Sequence, residues 1–359
     1  MARSGWIETW VTATSALIVR LPTMMVLVTD ERAVNHRAGP HHPESPERLE
    51  AVLRATRSAA VRDGIVRLEP RAATPTELAR VHDASMLAAL DSVRGRSVQL
   101  DPDTAVSPES VDIAERGAGA GLTAVEALRE GVGSAAFCAV RPPGHHATGE
   151  RPMGFCLLNN VAVTAAALVA AGERVLIADF DAHHGNGTQD IFYDEPNVLF
   201  VSWHQSPLYP GTGALAEVGG PRAEGLTVNL PLVAGTTGDA YLASVQDAVG
   251  PIIDRFDPTR LLLSAGFDAH RDDPITEMGL SAGDYADLTS LLMEAVPPGR
   301  TVAFLEGGYD LGALERSALA TMSALLGEPS HPEPPSTGSV GTNAFGRVVD
   351  AVVGLHGLR

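Results

Sequence analysis

"RVLIADFDAHHGNG", residues 174–187, opens with a short apolar run and closes on a dense group of acids, imidazoles and an amide. Continuous apolarity over four to six residues suits a strand covered on both faces, as in a parallel sheet, rather than a half-solvated strand with alternating polarity. The same form recurs in "SAAFCAV" (134–140), "NVLFVSW" (197–203), "RLLLSAG" (260–266) and "TVAFLEG" (301–307), and "MMVLVTD" (24–30) begins the pattern. Between the runs lie Ala- and Leu-rich segments at helical spacing. "VAVTAAALVAAG" (161–172) ends on a C-cap glycine, Gly172, and "AYLASVQDAVGPIIDRF" (240–256) reads as a second helix. The alternation of strand and helix predicts a three-layer α/β/α fold around a central, mostly parallel sheet. Functional residues of such sheets collect beyond the carboxyl ends of the strands. Here the five runs lead into "RPPGHH", "DAHHGNG", "HQSPLYPGTG", "FDAHRDDP" and "GYD", so the polar chemistry gathers at one edge.

The whole chain fits that picture. Its 359 residues are 45% hydrophobic and 19% charged, enough for one large core. The formal net charge is −18, and all 26 basic residues are arginine. No broad cationic surface is available for phosphates, which argues against a nucleic-acid partner and favours a cationic amine substrate. Two cysteines, Cys138 and Cys156, form no CxxC pair, the pattern of a reducing compartment, and we expect a cytoplasmic protein. No apolar stretch is long enough to span a bilayer. Residues 1–23 carry Glu8 inside their apolar part and no clear cleavage site, so they read as an N-terminal extension rather than a secretory signal. Residues 24–359 are expected to form one catalytic domain, with 327–344 a flexible loop and "FGRVVDAVVGLHGL" (345–358) an amphipathic helix packing back.

Asp179, Asp181 and His183 alternate, so at an extended strand end they project to one side. A carboxylate and an imidazole make two thirds of a catalytic zinc or iron(II) site, and Asp268, after the 260–266 run, is the candidate third ligand. A lone D-x-H is ordinarily a capped turn with a loop histidine. The functional reading rests on several uncommon patterns falling after different strands of one sheet. His145 and His146 form an adjacent pair behind a stiff Pro-Pro-Gly approach and are suited to proton transfer. Tyr309 could donate a hydrogen bond to an oxyanion.

"HHPESPERLEAV", "RPPGHHATGERPMGFCLLNNVAV", "DFDAHHGNGTQDIF", "VSWHQSPLYPGTG", "SAGFDAHRDDP" and "EGGYD", in that order between Val26 and Leu311, resemble the histone deacetylase and acetylpolyamine amidohydrolase superfamily. The resemblance implies an arginase-like α/β/α fold and metal-dependent deacetylation. It implies that Asp181, His183 and Asp268 bind the metal, zinc or iron(II), and that Tyr309 is the transition-state donor. His146 would act as general base and His145 would assist, with Asp179 and Asn186 orienting the two imidazoles. Asn186, where class I members usually carry Asp, makes the chain class II-like. Tyr309, where some class II relatives carry His, implies an active deacetylase. Asp179, Asp181, His183, Ser202 and the Trp203 backbone match the family's structural potassium site. Phe155 and Tyr209 match the aromatic channel walls, Gly154 a backbone group near the scissile amide, Asp103 a grip on the substrate backbone, and Arg48 an arginine near an acetate pocket.

The expected reaction hydrolyses an N-acetyl amide, of acetyl-lysine or an acetylpolyamine, to acetate and an amine. At the position where polyamine specialists carry an acidic gatekeeper the chain has Ile275, with Glu277 close by. Two rival readings exist. A binuclear arginase or agmatinase needs D-x-D where the chain reads Asp268, Ala269, His270, and a fifth-position acid where it reads Gly185. A non-catalytic binder of acetylated ligands has no need of every catalytic position, yet all are present.

Overall fold

The computed structural model describes residues 23–338 and 342–358; the N-terminal extension, apart from Thr23, lies outside the described residues. Ten strands follow in chain order: β1 (Met25–Thr29), β2 (Ile65–Leu68), β3 (Val98–Gln99), β4 (Ala105–Val106), β5 (Ala135–Ala139), β6 (Val175–Asp179), β7 (Val198–Gln205), β8 (Thr227–Leu232), β9 (Arg260–Ala265) and β10 (Thr301–Leu305). Eight of them form one sheet in the order β2-β1-β5-β10-β9-β6-β7-β8, and every pairing in it is parallel. β3 and β4 make a small antiparallel hairpin.

The period of two along each strand explains the unbroken apolar runs. On β1, Met25 and Leu27 face one core while Val26 and Val28 face the other; on β9, Leu261 and Leu263 oppose Leu262. Each face is covered by helices. Ser110–Arg129 and Asn160–Ala170 pack on one side, and Pro46–Ala55, Gly250–Phe256, Ala282–Met293 and Leu311–Leu325 on the other. This is the expected three-layer α/β/α architecture, with a sheet that is wholly rather than mostly parallel. No helix among the described residues is long and apolar enough to cross a membrane.

The six apolar runs each contain a central strand, whereas β2 and β8 carry no such run. Both lie at the sheet's edges. β2 is half-exposed along its length, and β8 places Pro231, which cannot donate to a ladder, where only one neighbour needs pairing. The helix beginning at Asn160 is capped by the Asn159 side chain, which accepts from Ala162 N–H, and it ends at Gly172 with φ +83°, a left-handed turn that suits glycine.

The segment 240–256 is not one regular helix. A helix over Gly238–Ser244 passes through a π turn, Val245–Val249, into Gly250–Phe256, with Gly250 N–H bonding the Val245 carbonyl. Pro251 supplies no N–H, and the wider turn absorbs that missing donor. The segment expected to be a flexible loop has no regular structure over 328–338, but it is tied to the body. Ser336 Oγ donates to Asp284 (2.6 Å) and accepts from Gly238 N–H (2.9 Å), and Glu333 accepts from Ala282 N–H (3.0 Å). The terminal helix, Thr342–Leu355, lies against β8, buries Val352 and is held by the Arg255 guanidinium on the His356 carbonyl.

Candidate active site

Five parallel strands end at the same edge, so residues far apart in sequence meet there. Beyond β6 the chain bends over 181–183, with Phe180 and Ala182 in the core and the turn held by Asp181 N–H on Asp179 Oδ1 (3.1 Å) and His183 N–H on Asp181 Oδ1 (2.9 Å). His183 Nδ1 lies 3.1 Å from Asp181 Oδ1 and 2.9 Å from Asp268 Oδ2. One donor atom from each of Asp181, His183 and Asp268 falls within 4.8 Å of the others. The backbone fixes both carboxylates: Gly307 N–H bonds Asp181 Oδ2 (2.8 Å), and Ala182 N–H bonds Asp268 Oδ1 (2.7 Å).

Both aspartates are fully buried. Burial, then the charge of Asp181, pushes Asp268 up to about 7, while the two carboxylates carry His183 up to about 10 against its own burial. Two buried acids beside one imidazole form an electron-rich nitrogen and oxygen set with three protein donors, the composition of a catalytic zinc or iron(II) site. The residues fit such an ion. Glycines make the room. A Cβ at Gly266 would stand 2.0 Å from Asp181 Oδ2, and one at Gly307 would stand 2.2 Å from Asp268 Oδ2 and 2.5 Å from Asp181 Oδ2.

The loop after β5 brings the two histidines alongside. His145 Nδ1 donates to Asp179 Oδ2 (3.0 Å), and His146 Nδ1 lies 2.8 Å from Asn186 Oδ1. Their rings are 4.0 Å apart, yet their environments differ in sign. His146 is held well below the usual imidazole range by burial and by the neighbouring His145 and His183. For His145 burial acts the same way, but Asp181 and Asp179 overcome it and lift the group well above that range. Two titratable neighbours pushed apart are the physical basis for separate proton-transfer roles.

Phe155 and Tyr209 stand above this layer. Tyr209 meets the His146 ring edge to face at 5.2 Å, while Phe155 meets Tyr309 at 5.9 Å and His42 at 4.6 Å. Phe155 and Gly154 both have positive φ, 68° and 57°, and a Cβ on Gly154 would press on the His146 ring at 2.5 Å. Phe155 N–H bonds Thr104 Oγ1 (3.1 Å), which in turn donates to Asp103 (2.9 Å), so the hairpin loop carrying Asp103 braces this wall. Tyr309 is anchored through its N–H to Asp273 (2.8 Å), and the Arg48 guanidinium lies 4.9 Å from its ring. Arg48 is itself fully buried, donating to the carbonyls of Gly308 (2.6 Å) and Glu306 (2.5 Å).

Of the cation set, Asp179 and Ser202 are register partners on β6 and β7, and Trp203 follows in the same strand. Ser202 Oγ contacts His204 Nδ1 (3.0 Å), and the Trp203 indole donates to Ser244 (2.7 Å). Glu277 is exposed, with its N–H on Gln205. Asp273 and Glu306 lie inside "SAGFDAHRDDP" and "EGGYD" but carry no sequence signal of their own that marks a role. Each is a buried acid that organises backbone amides beside the site. A second cluster, His270, Asp272 and Glu333, is a set of ion pairs in which Glu333 already takes His270 (2.6 Å) and Arg271 (2.8 Å).

Residues 42–325 match the family model described as the histone deacetylase domain. The chain is 39% identical over 308 residues to a probable deacetylase of Archaeoglobus fulgidus, covering 84% of this chain and 86% of that one. Over 330 residues it is 35% identical to the histone deacetylase-like amidohydrolase of Pseudomonas aeruginosa, covering 83% and 85% of the two chains. The crystal structure of the HDA15 HD domain superposes with a TM-score of 0.84 at 36% identity, covering 94% of this chain and 95% of that one. A sheet edge built from the quoted stretches, a domain match over most of the chain and relatives of equal extent lead to one assignment: the chain belongs to the histone deacetylase family of hydrolases.

Proposed function

We propose that the protein is a metal-dependent amidohydrolase that removes acetyl groups from N-acetylated amines, acetyl-lysine or acetylpolyamines. The observation that carries the reading is the pair of neighbouring imidazoles, one beside Asp179 and one beside Asn186, next to a buried three-donor set. Asp181, His183 and Asp268 would hold a zinc or iron(II) ion, which when bound supplies Lewis-acid polarisation of the amide carbonyl and a more acidic water. A structural potassium ion would take Asp179, Asp181, His183, Ser202 and the Trp203 backbone.

The chain's own residues do the rest. Asn186 holds the Nδ1 hydrogen of His146, so that Nε2 of a neutral ring is the base that takes the proton from water. His145, raised above the usual imidazole range by Asp181 and Asp179, would stabilise negative charge as the amide carbon becomes tetrahedral. The Tyr309 hydroxyl donates to the developing oxyanion. The leaving nitrogen receives a proton from the histidine pair, releasing acetate and the free amine. Phe155 and Tyr209 sandwich the aliphatic chain, with Gly154 and Asp103 beside its polar parts.

The net charge of −18 suits a cationic amine and does not suit direct nucleic-acid binding. The two cysteines, Cys138 and Cys156, are buried free thiols, the usage of a reducing compartment, and on that ground we propose a cytoplasmic location. The ureohydrolase reading meets two obstacles, since Gly185 offers no ligand and His270 is engaged with Glu333. A fluorogenic acetyl-lysine assay with and without chelator, beside elemental analysis, tests the proposal. We expect chelator-sensitive turnover and about one divalent ion per chain. Two tightly bound manganese ions, or binding of acetylated ligands without turnover, would refute it.

A further inference from the structure

"LEGGYD" places an acid, Glu306, directly after β10, and its side chain turns into the protein rather than toward substrate. It is fully buried. One of its oxygens, Oε2, accepts from two successive backbone amides, Gly144 N–H at 2.6 Å and His145 N–H at 3.1 Å. The other, Oε1, accepts from Ser264 Oγ of β9 at 3.3 Å.

Those two amides are not arbitrary. In "RPPGHH" the prolines Pro142 and Pro143 have no N–H, so Gly144 and His145 supply the first backbone donors after them, and both converge on one atom. Glycine is required at 144, because a Cβ there would stand 2.5 Å from the Asn160 nitrogen. Glu306 is itself rigid. Its N–H bonds the Ala265 carbonyl (3.1 Å) and its carbonyl receives Arg48 (2.5 Å). The chain thus fixes His145 twice, at the ring by Asp179 and at the backbone by Glu306, and His146 follows in the same loop. Among the described residues no side-chain cation hydrogen-bonds the Glu306 carboxylate, and burial pushes the group up to about 7. A buried acid held this way is maintained for its geometry.

We propose that Glu306 is a positioning residue for the tandem histidines, setting where both imidazoles stand relative to the metal-binding trio through a single doubly accepting oxygen. This rests on the deacetylase reading for its kinetic test. A glutamine can do the same work, because its carbonyl can receive both amides while its NH₂ donates to Ser264 Oγ. An alanine cannot.

The test compares kcat and KM on an acetyl-lysine substrate for wild type, Glu306→Gln and Glu306→Ala, with metal content and histidine ring NMR recorded on each. We expect Glu306→Gln to keep kcat within threefold. Glu306→Ala should lose about a hundredfold in kcat, with KM and metal content within twofold, because small displacements of a reacting group carry that scale of loss. The ring signals of His145 and His146 should move in the alanine protein and stay in the glutamine protein. The proposal is overturned if the alanine protein keeps its kcat or its ring signals, or if glutamine costs as much as alanine. Should the alanine protein not fold, the glutamine result decides alone. A wild type that turns over no acetylated amine refutes the deacetylase reading, and the ring signals still decide the role of Glu306.

Discussion

In the proposed reaction Tyr309 offers one hydroxyl, and Phe removes only that. Tyr309→Phe should therefore bind metal normally yet lose on the order of 10²–10³ in kcat, the cost of deleting one oxyanion donor, and steady-state kinetics beside elemental analysis would show it. Asp268→Ala should lose ion and turnover together, since a two-ligand remnant holds metal poorly. Gly307→Ala makes a sharper test. Its added carbon would contact Asp268 and Asp181 oxygens at 2.2 and 2.5 Å, and we expect metal affinity to fall by tenfold or more, with the melting temperature of the metal-free protein lowered as well by overpacking. Unchanged occupancy in that variant would mean the carboxylates can shift. The side chains proposed for catalysis could be picked out of the sequence because imidazole, carboxylate and phenol announce their chemistry. Gly266, Gly307 and Glu306 could not, because their contribution is clearance or backbone support, visible only once β6, β9 and β10 lie side by side.

The central strands were legible for a related reason: both faces of each are buried, so each carries an unbroken apolar run, with polar residues only toward its ends. Edge strands β2 and β8 escape that rule, as does the 328–338 strap, whose Pro- and Ser-rich composition suggests looseness while its side chains hold it down. Glu333 is the strap's principal anchor. Burial opposes its charge, but Ala282 N–H, His270 and Arg316 hold its carboxyl down at about 2. A group whose pKa is depressed on folding contributes stability that is complete above its unfolded value and lost as pH falls through the folded one. Stability from Glu333 should therefore be present above about pH 4.5 and decline toward pH 2. Denaturant titrations of Glu333→Gln should show a lower midpoint at pH 6 and a smaller difference from wild type near pH 2. A constant gap between the two proteins across that range would remove the anchor role.

The arrangement of the whole sheet divides the site. β5, which leads to His145 and His146, belongs with β1 and β2, whereas β6 and β9, which lead to Asp181, His183 and Asp268, belong with β7 and β8. β10 lies between the two groups and is the last strand in the chain. During synthesis at roughly 5–20 residues per second, about ten to thirty seconds separate the emergence of the histidine pair from that of the strand joining it to its partners. Strands that paired before then would leave two half-sheets, each with an open edge of unpaired amides and carbonyls. A chain ending at residue 300 should expose those edges and aggregate rather than accumulate as a soluble, metal-loaded fragment. The strand at the centre of this sheet is thus among the last that the ribosome delivers, and the two halves of the site are joined only through it.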